Sequence, residues 1–340
     1  MSKFKAVIVG AGGMGKAWGR NLKAIPSQVE LVGWVDLRDG AAAAAAEDLG
    51  FAVKYAGCDL GQALADARPD FVVDVTIPEA HHDVTLQSLS AGIPVLGEKP
   101  MADSMERARA MVAASEKAGK LYMVSQSRRY DNNIRAFRAL IEQYVGELGI
   151  LNSDFYIGAH FGGFRDKMRS PLILDMAIHT FDAARYLCGL DPVSVYCEEF
   201  NPKWSWYDGA SSATAIFEMQ GGLRYTYRGS WSAEGRATSW ESEWRAAGER
   251  GTATWDGIGA HPPVAEIAVG EHKFMRSVES VTATPEKQPG GIAGSIQDFL
   301  HALETGATPM GECHDNIKSL AMVFAAMESS DAGKRVKVEI

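Results

Sequence analysis

Short apolar runs recur through residues 1–125, each followed by a stretch of helical character. Ala6-Val7-Ile8-Val9 ends in glycines and Leu31-Val32-Gly33-Trp34-Val35 ends at Asp36. Further buried strands are predicted at Phe71 to Val75, Ile93 to Leu96 and Leu121 to Val124. Runs without polar alternation suit strands covered on both faces. Between them, Ala41 to Ala46, Glu79 to Ala91 and Asp103 to Ala118 read as helices. Strand and helix in alternation predict an α/β domain built on a doubly wound parallel sheet.

The texture changes over residues 126–340. From Leu151 to Phe274 the pattern is mostly short strands, and in Leu223-Arg224-Tyr225-Thr226-Tyr227-Arg228 large apolar side chains alternate with polar ones. That period belongs to a half-buried antiparallel strand, so a second α/β domain with a large open, mainly antiparallel sheet is expected. A tryptophan-rich stretch runs from Trp204 to Trp255, and aromatic packing on the sheet or in a subunit interface accounts for it. Ala283 to Gly291 reads as a loop, Ile292 to Glu304 and Asn316 to Ser329 as helices, and Val336 to Ile340 as a last strand.

Composition narrows the class. The formal net charge of −9 argues against a nucleic-acid surface, and Arg128-Arg129 is too little for a polyanion groove. No apolar run approaches the ~18 residues a membrane helix needs. The apolar start is broken by Gly10, Gly12 and Gly13, unlike a secretory leader. Cys58, Cys188, Cys197 and Cys313 lie far apart, as in a cytoplasmic protein with reduced thiols.

The glycines have a chemical reading. Gly10-Ala11-Gly12-Gly13-Met14-Gly15 is G-x-G-x-x-G directly after a buried strand and at the head of a helical stretch. Such a turn brings backbone N–H groups and a helix N-terminus to a pyrophosphate. Asp36 ends the second strand 21 residues after Gly15, where a carboxylate can accept both ribose hydroxyls. Its charge favours NAD over a 2′-phosphorylated cofactor, while Arg38 leaves NADP open as well.

A second set of motifs is more specific. Thr76-Ile77-Pro78-Glu79-Ala80-His81-His82 is followed by Ala91-Gly92, then Glu98-Lys99-Pro100, then Asp175-Met176-Ala177-Ile178-His179. The chain resembles the Gfo/Idh/MocA oxidoreductases, whose pattern is T-x-P-x-x-x-H, E-K-P and D-x-x-x-H. The resemblance extends to the segment from Ser295 to Val338. Ser170-Pro171 and Ala177 depart from the family's glycine-rich entry to the D-x-x-x-H helix, which bears on pocket shape; proline is tolerated in a first turn.

The resemblance implies a Rossmann domain (1–125), a substrate-binding and oligomerisation domain (126–340), and a cleft between them holding nicotinamide and substrate. Gly10, Gly12, Gly13, Met14, Gly15, Asp36, Arg38, Thr76, Pro78, His82, Glu98 and Lys99 would line the cofactor. Lys99, Asp175 and His179 would carry the chemistry and contact substrate, with Arg129, Tyr130 and His160 lining the pocket. The residue types agree: imidazole titrates near neutrality and can take a hydroxyl proton, and Lys99 can polarise the reacting oxygen. Asp175, four residues before His179, would emerge from the same helix face. Asp182 reads as a salt-bridge partner, and Lys99–Pro100 is expected to be cis. No metal is required. The expected protein is a homodimeric or homotetrameric dehydrogenase of sugars, cyclitols or related polyols. Two rivals are a glycoside hydrolase using bound NAD and a non-catalytic dinucleotide sensor.

Overall fold

The computed structural model describes residues 3–271 and 274–340. The chain divides into two compact units, residues 1–127 with 289–317, and residues 128–288 with 318–340.

In the first unit β1 (Phe4–Val9), β2 (Val29–Val35), β3 (Tyr55–Gly57), β4 (Phe71–Asp74), β5 (Val95–Gly97) and β6 (Tyr122–Val124) form one sheet. Its order is β3-β2-β1-β4-β5-β6, and every pairing is parallel. The crossovers are α1 (Gly13–Lys23), α2 (Ala41–Asp48), α3 (Leu60–Ala67), α4 (Pro78–Ser90) and α5 (Met105–Ala118). Ala6, Val7 and Ile8 are fully buried, as are Phe71, Val72 and Val73, because helices cover both faces. Local chemistry sets the helix ends. Ser104 accepts the Arg107 N–H ahead of α5, and Gly119, at φ +58°, closes it. Helix α3 buries Leu60, Ala63, Leu64 and Ala67, the i, i+3, i+4, i+7 spacing of an amphipathic helix, whereas the three-residue edge strand β3 is too short to carry a period.

The second unit is built on a nine-stranded sheet. Its strands are β7 (Leu148–Tyr156), β8 (Pro192–Phe200), β9 (Ser212–Met219), β10 (Arg224–Ser230), β11 (Glu243–Gly248), β12 (Gly251–Trp255), β13 (Val264–Val269), β14 (Ser277–Thr282) and β15 (Val336–Lys337). The order is β14-β13-β12-β11-β7-β10-β9-β8-β15, antiparallel except for the β7–β10 pair. Helices α6 (Asn132–Leu140) and α7 (Ile178–Cys188) pack with it. Phe181 of α7 meets the rings of Phe217, Tyr225 and Tyr227 at centroid distances of 4.9–6.3 Å. The alternation in Leu223 to Arg228 is realised: Tyr225 and Tyr227 face this core, and Arg224 and Arg228 face out.

Residues 289–317, which the sequence reading grouped with the second half, belong to the first unit. They hold α8 (Gly291–Thr305) and the start of α9 (Cys313–Ala332). Phe299 of α8 packs edge-on against Phe71 of β4 at 5.3 Å, and the Ser295 and Ser125 hydroxyls bond at 2.8 Å. Among the described residues no helix is long and apolar enough to cross a membrane.

Candidate active site

Strand β1 runs into Gly10, which sits at φ +106°, a region that favours glycine. A Cβ there would lie 2.4 Å from the Val75 carbonyl oxygen, and one at Gly15 would lie 2.1 Å from that of Gly10, so neither position tolerates a side chain. At Gly12 and Gly13 a Cβ would meet nothing within 4 Å, so the outer face of the turn is open to an approaching group. Helix α1 then starts with no side-chain cap and no acid in its first turn. Its N–H groups and positive dipole end are therefore available to a pyrophosphate. Trp34 braces the turn: its indole N–H donates to the Gly10 carbonyl at 3.0 Å. Met14, on the first turn of α1, is half exposed.

Asp36 follows β2. Its Oδ2 accepts the Ala11 N–H at 2.7 Å, which ties this carboxylate to the glycine turn. Its Oδ1 accepts both the backbone N–H and Nε–H of Arg38 at 2.9 Å, and Arg38 Nη2 donates to Oδ2 at 3.0 Å. The Arg38 side-chain hydrogen bond holds this carboxyl down at about 2. Four bonds saturate a carboxylate, so any further donor to Asp36 has to displace the Arg38 guanidinium, whose side chain is 66% exposed and able to swing away.

The next motif contains a buried pair. His81 Nδ1 lies 2.9 Å from Asp74 Oδ2, and the Thr76 hydroxyl donates to Asp74 Oδ1 at 2.6 Å. The adjacent carboxylate raises the His81 pKa against the opposing effect of burial. The ring of His82, expected at the cofactor, lies 2.7 Å from the exposed Asp83 carboxylate, while Pro78 opens α4 at its first position. Successive helical residues point apart, so one histidine of the pair is buried and the other is not. Glu98 spends one oxygen on the Trp18 indole N–H at 2.7 Å and the other on the Lys99 N–H at 3.0 Å. It thereby joins α1 to the backbone of Lys99. The Lys99–Pro100 peptide is cis, as the resemblance implies.

In the second unit a single helix runs from Pro171 to Cys188, but residues Leu172–Ala177 within it form a wide π-helical turn. Asp175 lies in this turn and His179 in the regular helix beyond it, so the expected i,i+4 pair spans two helix geometries. Such turns carry one surplus residue and recur at functional sites. Asp175 Oδ2 accepts Arg165 Nε–H at 2.6 Å, a partner with no motif to announce it.

The residues expected to line the pocket have varied surroundings. Arg129 donates to both Asp182 oxygens, Nε to Oδ2 at 2.7 Å and Nη2 to Oδ1 at 2.6 Å, with both side chains buried. Ser319 adds a third donor to that carboxylate at 2.7 Å. Tyr130 is buried beneath Arg135, and His160 is an exposed ring stacked on Trp206 at 3.7 Å and bonded to Glu234. Arg128 donates to the Thr180 hydroxyl at 3.1 Å and to the Trp240 carbonyl, fastening the loop that carries the half-exposed Trp240. Among the described residues one side-chain group has metal-ligand spacing, Glu312, Cys313 and His314. Glu312 there accepts the His314 backbone N–H at 2.9 Å, which caps α9.

A parallel sheet with an open glycine turn and a carboxylate tied to that turn defines a dinucleotide-binding fold, and known proteins make the class specific. The oxidoreductase family with an NAD-binding Rossmann fold matches residues 4–126, and the GFO/IDH/MocA C-terminal domain matches residues 105–254. The chain is a member of the Gfo/Idh/MocA oxidoreductase family. It is 28% identical to protein y4oX of Sinorhizobium fredii over 99% of this chain and 96% of that protein. It is 27% identical to inositol 2-dehydrogenase of Rhizobium meliloti over 97% and 98% of the two chains. Among solved structures, an Agrobacterium radiobacter oxidoreductase in complex with NAD+, L-tartaric acid and magnesium superposes with a TM-score of 0.86 at 22% identity, covering 99% of each chain.

Proposed function

We propose that the protein oxidises a secondary alcohol of a sugar, cyclitol or related polyol, or reduces the corresponding ketone, with NAD as cofactor. The carrying observation is the Asp175–His179 helix in a chain whose first unit holds an NAD-binding turn. Gly12, Gly13, Asp36 and the start of α1 would hold the dinucleotide, which supplies the hydride acceptor when bound. His179 takes the hydroxyl proton at a ring nitrogen, the Lys99 ammonium donates a hydrogen bond to the reacting oxygen, and Asp175 accepts one from a neighbouring substrate hydroxyl. The relative named inositol 2-dehydrogenase supports a polyol substrate. The four thiols fit a reducing cytoplasm, and the outer face of the nine-stranded sheet offers a surface for homodimers or homotetramers.

The test is a panel of inositols, pyranoses, their keto forms and glycosides, followed at the nicotinamide absorbance with NAD and NADP and assayed for released sugar. Accumulation of NADH with a polyol is the expected result. Release of free sugar from a glycoside without net NADH would replace the reading by hydrolysis, and binding of NAD without turnover of any panel member would make the protein a sensor.

A further inference from the structure

We propose that Arg165 is a positioning residue for the reaction, fixing the Asp175 carboxylate from outside its helix; this rests on the polyol reading above. Two independent features point to it. First, Asp175 lies inside the π-helical turn Leu172–Ala177. Bonds spanning five residues make a wider and less tightly packed turn than an α-helix, so the backbone beneath Asp175 constrains its side chain less. Second, the anchor is itself held. Arg165 Nε donates to Asp175 Oδ2 at 2.6 Å, and the guanidinium carbon lies 5.1 Å from the Phe161 ring centroid and 4.8 Å from that of Phe164.

The local sequence builds this clamp. Gly162 and Gly163 both have positive φ, +70° and +72°, which turns the chain sharply between the two phenylalanines. Both rings then reach one guanidinium. Phe164 stays 66% exposed and Phe161 45% exposed, a cost that packing alone does not explain. Phe161 is supported from behind by the Trp231 ring at 5.1 Å. A planar cation over aromatic rings has its donor direction fixed in a way a lysine ammonium does not. Neutralising Asp175 would need only a positive charge, whereas this arrangement fixes where that charge points.

The experiment is a double-mutant cycle on turnover, with Arg165→Ala, Arg165→Lys and Asp175→Asn, together with rescue by guanidinium. Arg165→Ala should lower kcat about 10- to 100-fold, the usual effect of misplacing a reacting group by about 1 Å, and leave the KM for NAD near that of the wild type. Arg165→Lys should stay well below the wild type. Guanidinium or methylguanidinium at tens of millimolar should restore part of the Arg165→Ala rate and leave the wild type unimproved. In the Asp175→Asn background the Arg165→Ala change should cost little more. A rate for Arg165→Ala within about twofold of wild type overturns the proposal, as do losses that multiply in the double variant. Wild-type protein that oxidises no polyol would instead remove the functional reading and this inference with it.

Discussion

Asp36 accepts four hydrogen bonds, three of them from Arg38, and that arrangement sets what replacing either residue should do to NAD binding. Asp36→Ala should weaken NAD binding about ten- to a hundredfold by calorimetry, the worth of one charge-assisted bond of about 1.5–3 kcal/mol. Arg38→Ala should act in the opposite sense, because it removes the competitor for the same oxygens. We expect NAD affinity to hold or rise and NADP affinity to fall, since the guanidinium is the nearest cation for a 2′-phosphate. A fall in NAD affinity in Arg38→Ala would show that Arg38 binds NAD rather than blocking it. At His179 the decisive measurement is the pH profile of polyol oxidation in His179→Gln. The wild-type rate should be low in acid and rise as the base loses its proton, and glutamine should flatten that limb. An acid limb unchanged in position and steepness would remove His179 as the base.

At the scale of elements, the start of the Asp175 helix is pinned by a half-buried acid. Ser170 donates its hydroxyl to Glu199 Oε2 of β8 at 3.1 Å, and burial raises the Glu199 carboxyl from 4.5 to about 7. The native state therefore holds this proton more tightly than the unfolded chain. Stability from this group is complete below pH 4.5 and falls as the pH rises through 7. Glu199→Gln removes the titration and keeps an acceptor for Ser170. In urea unfolding the variant should gain on the wild type by about 2 kcal/mol between pH 5 and pH 8, from about 1.4 kcal/mol per unit; a gap that does not change with pH would show that Glu199 is not protonated in the fold. Elements were legible in sequence where one signal dominated. The buried runs of β1 and β4 and the alternation in β10 all proved to be strands, and the glycine turn follows from steric exclusion at Gly10 and Gly15. What stayed hidden depends on tertiary partners. The π-helical turn at Asp175, the Arg165 clamp, the Arg129–Asp182 pair and the burial of His81 rather than His82 have no periodicity of their own.

For the whole molecule, the outer face of the nine-stranded sheet bears on assembly. Beside the half-exposed Ile150, the outward-facing positions of β7, β10 and β11 carry charged and polar residues: Asn152, Asp154, Arg228, Glu243 and Arg245. They line a shallow cavity of about 530 Å³ together with Trp255, Asp256 and His261. Arg228 and Asp154 neutralise each other through two bonds of 2.6–2.7 Å. Glu243 and Arg245 stand two residues apart on β11, a short dipole of opposite charges on one edge of the cavity. A two-fold contact repeats the same patch on both copies, so it can set the glutamate of one copy against the arginine of the other. We therefore expect sedimentation equilibrium at micromolar concentration to give two or four times the chain mass. Arg245→Glu should shift the population toward smaller species, because like charges facing each other across an interface are strongly unfavourable. Restoring opposite signs in the double variant Glu243→Arg with Arg245→Glu should bring the assembly back. A wild-type monomer at that concentration would end the homo-oligomer proposal, and an assembly indifferent to both variants would place the contact on another surface.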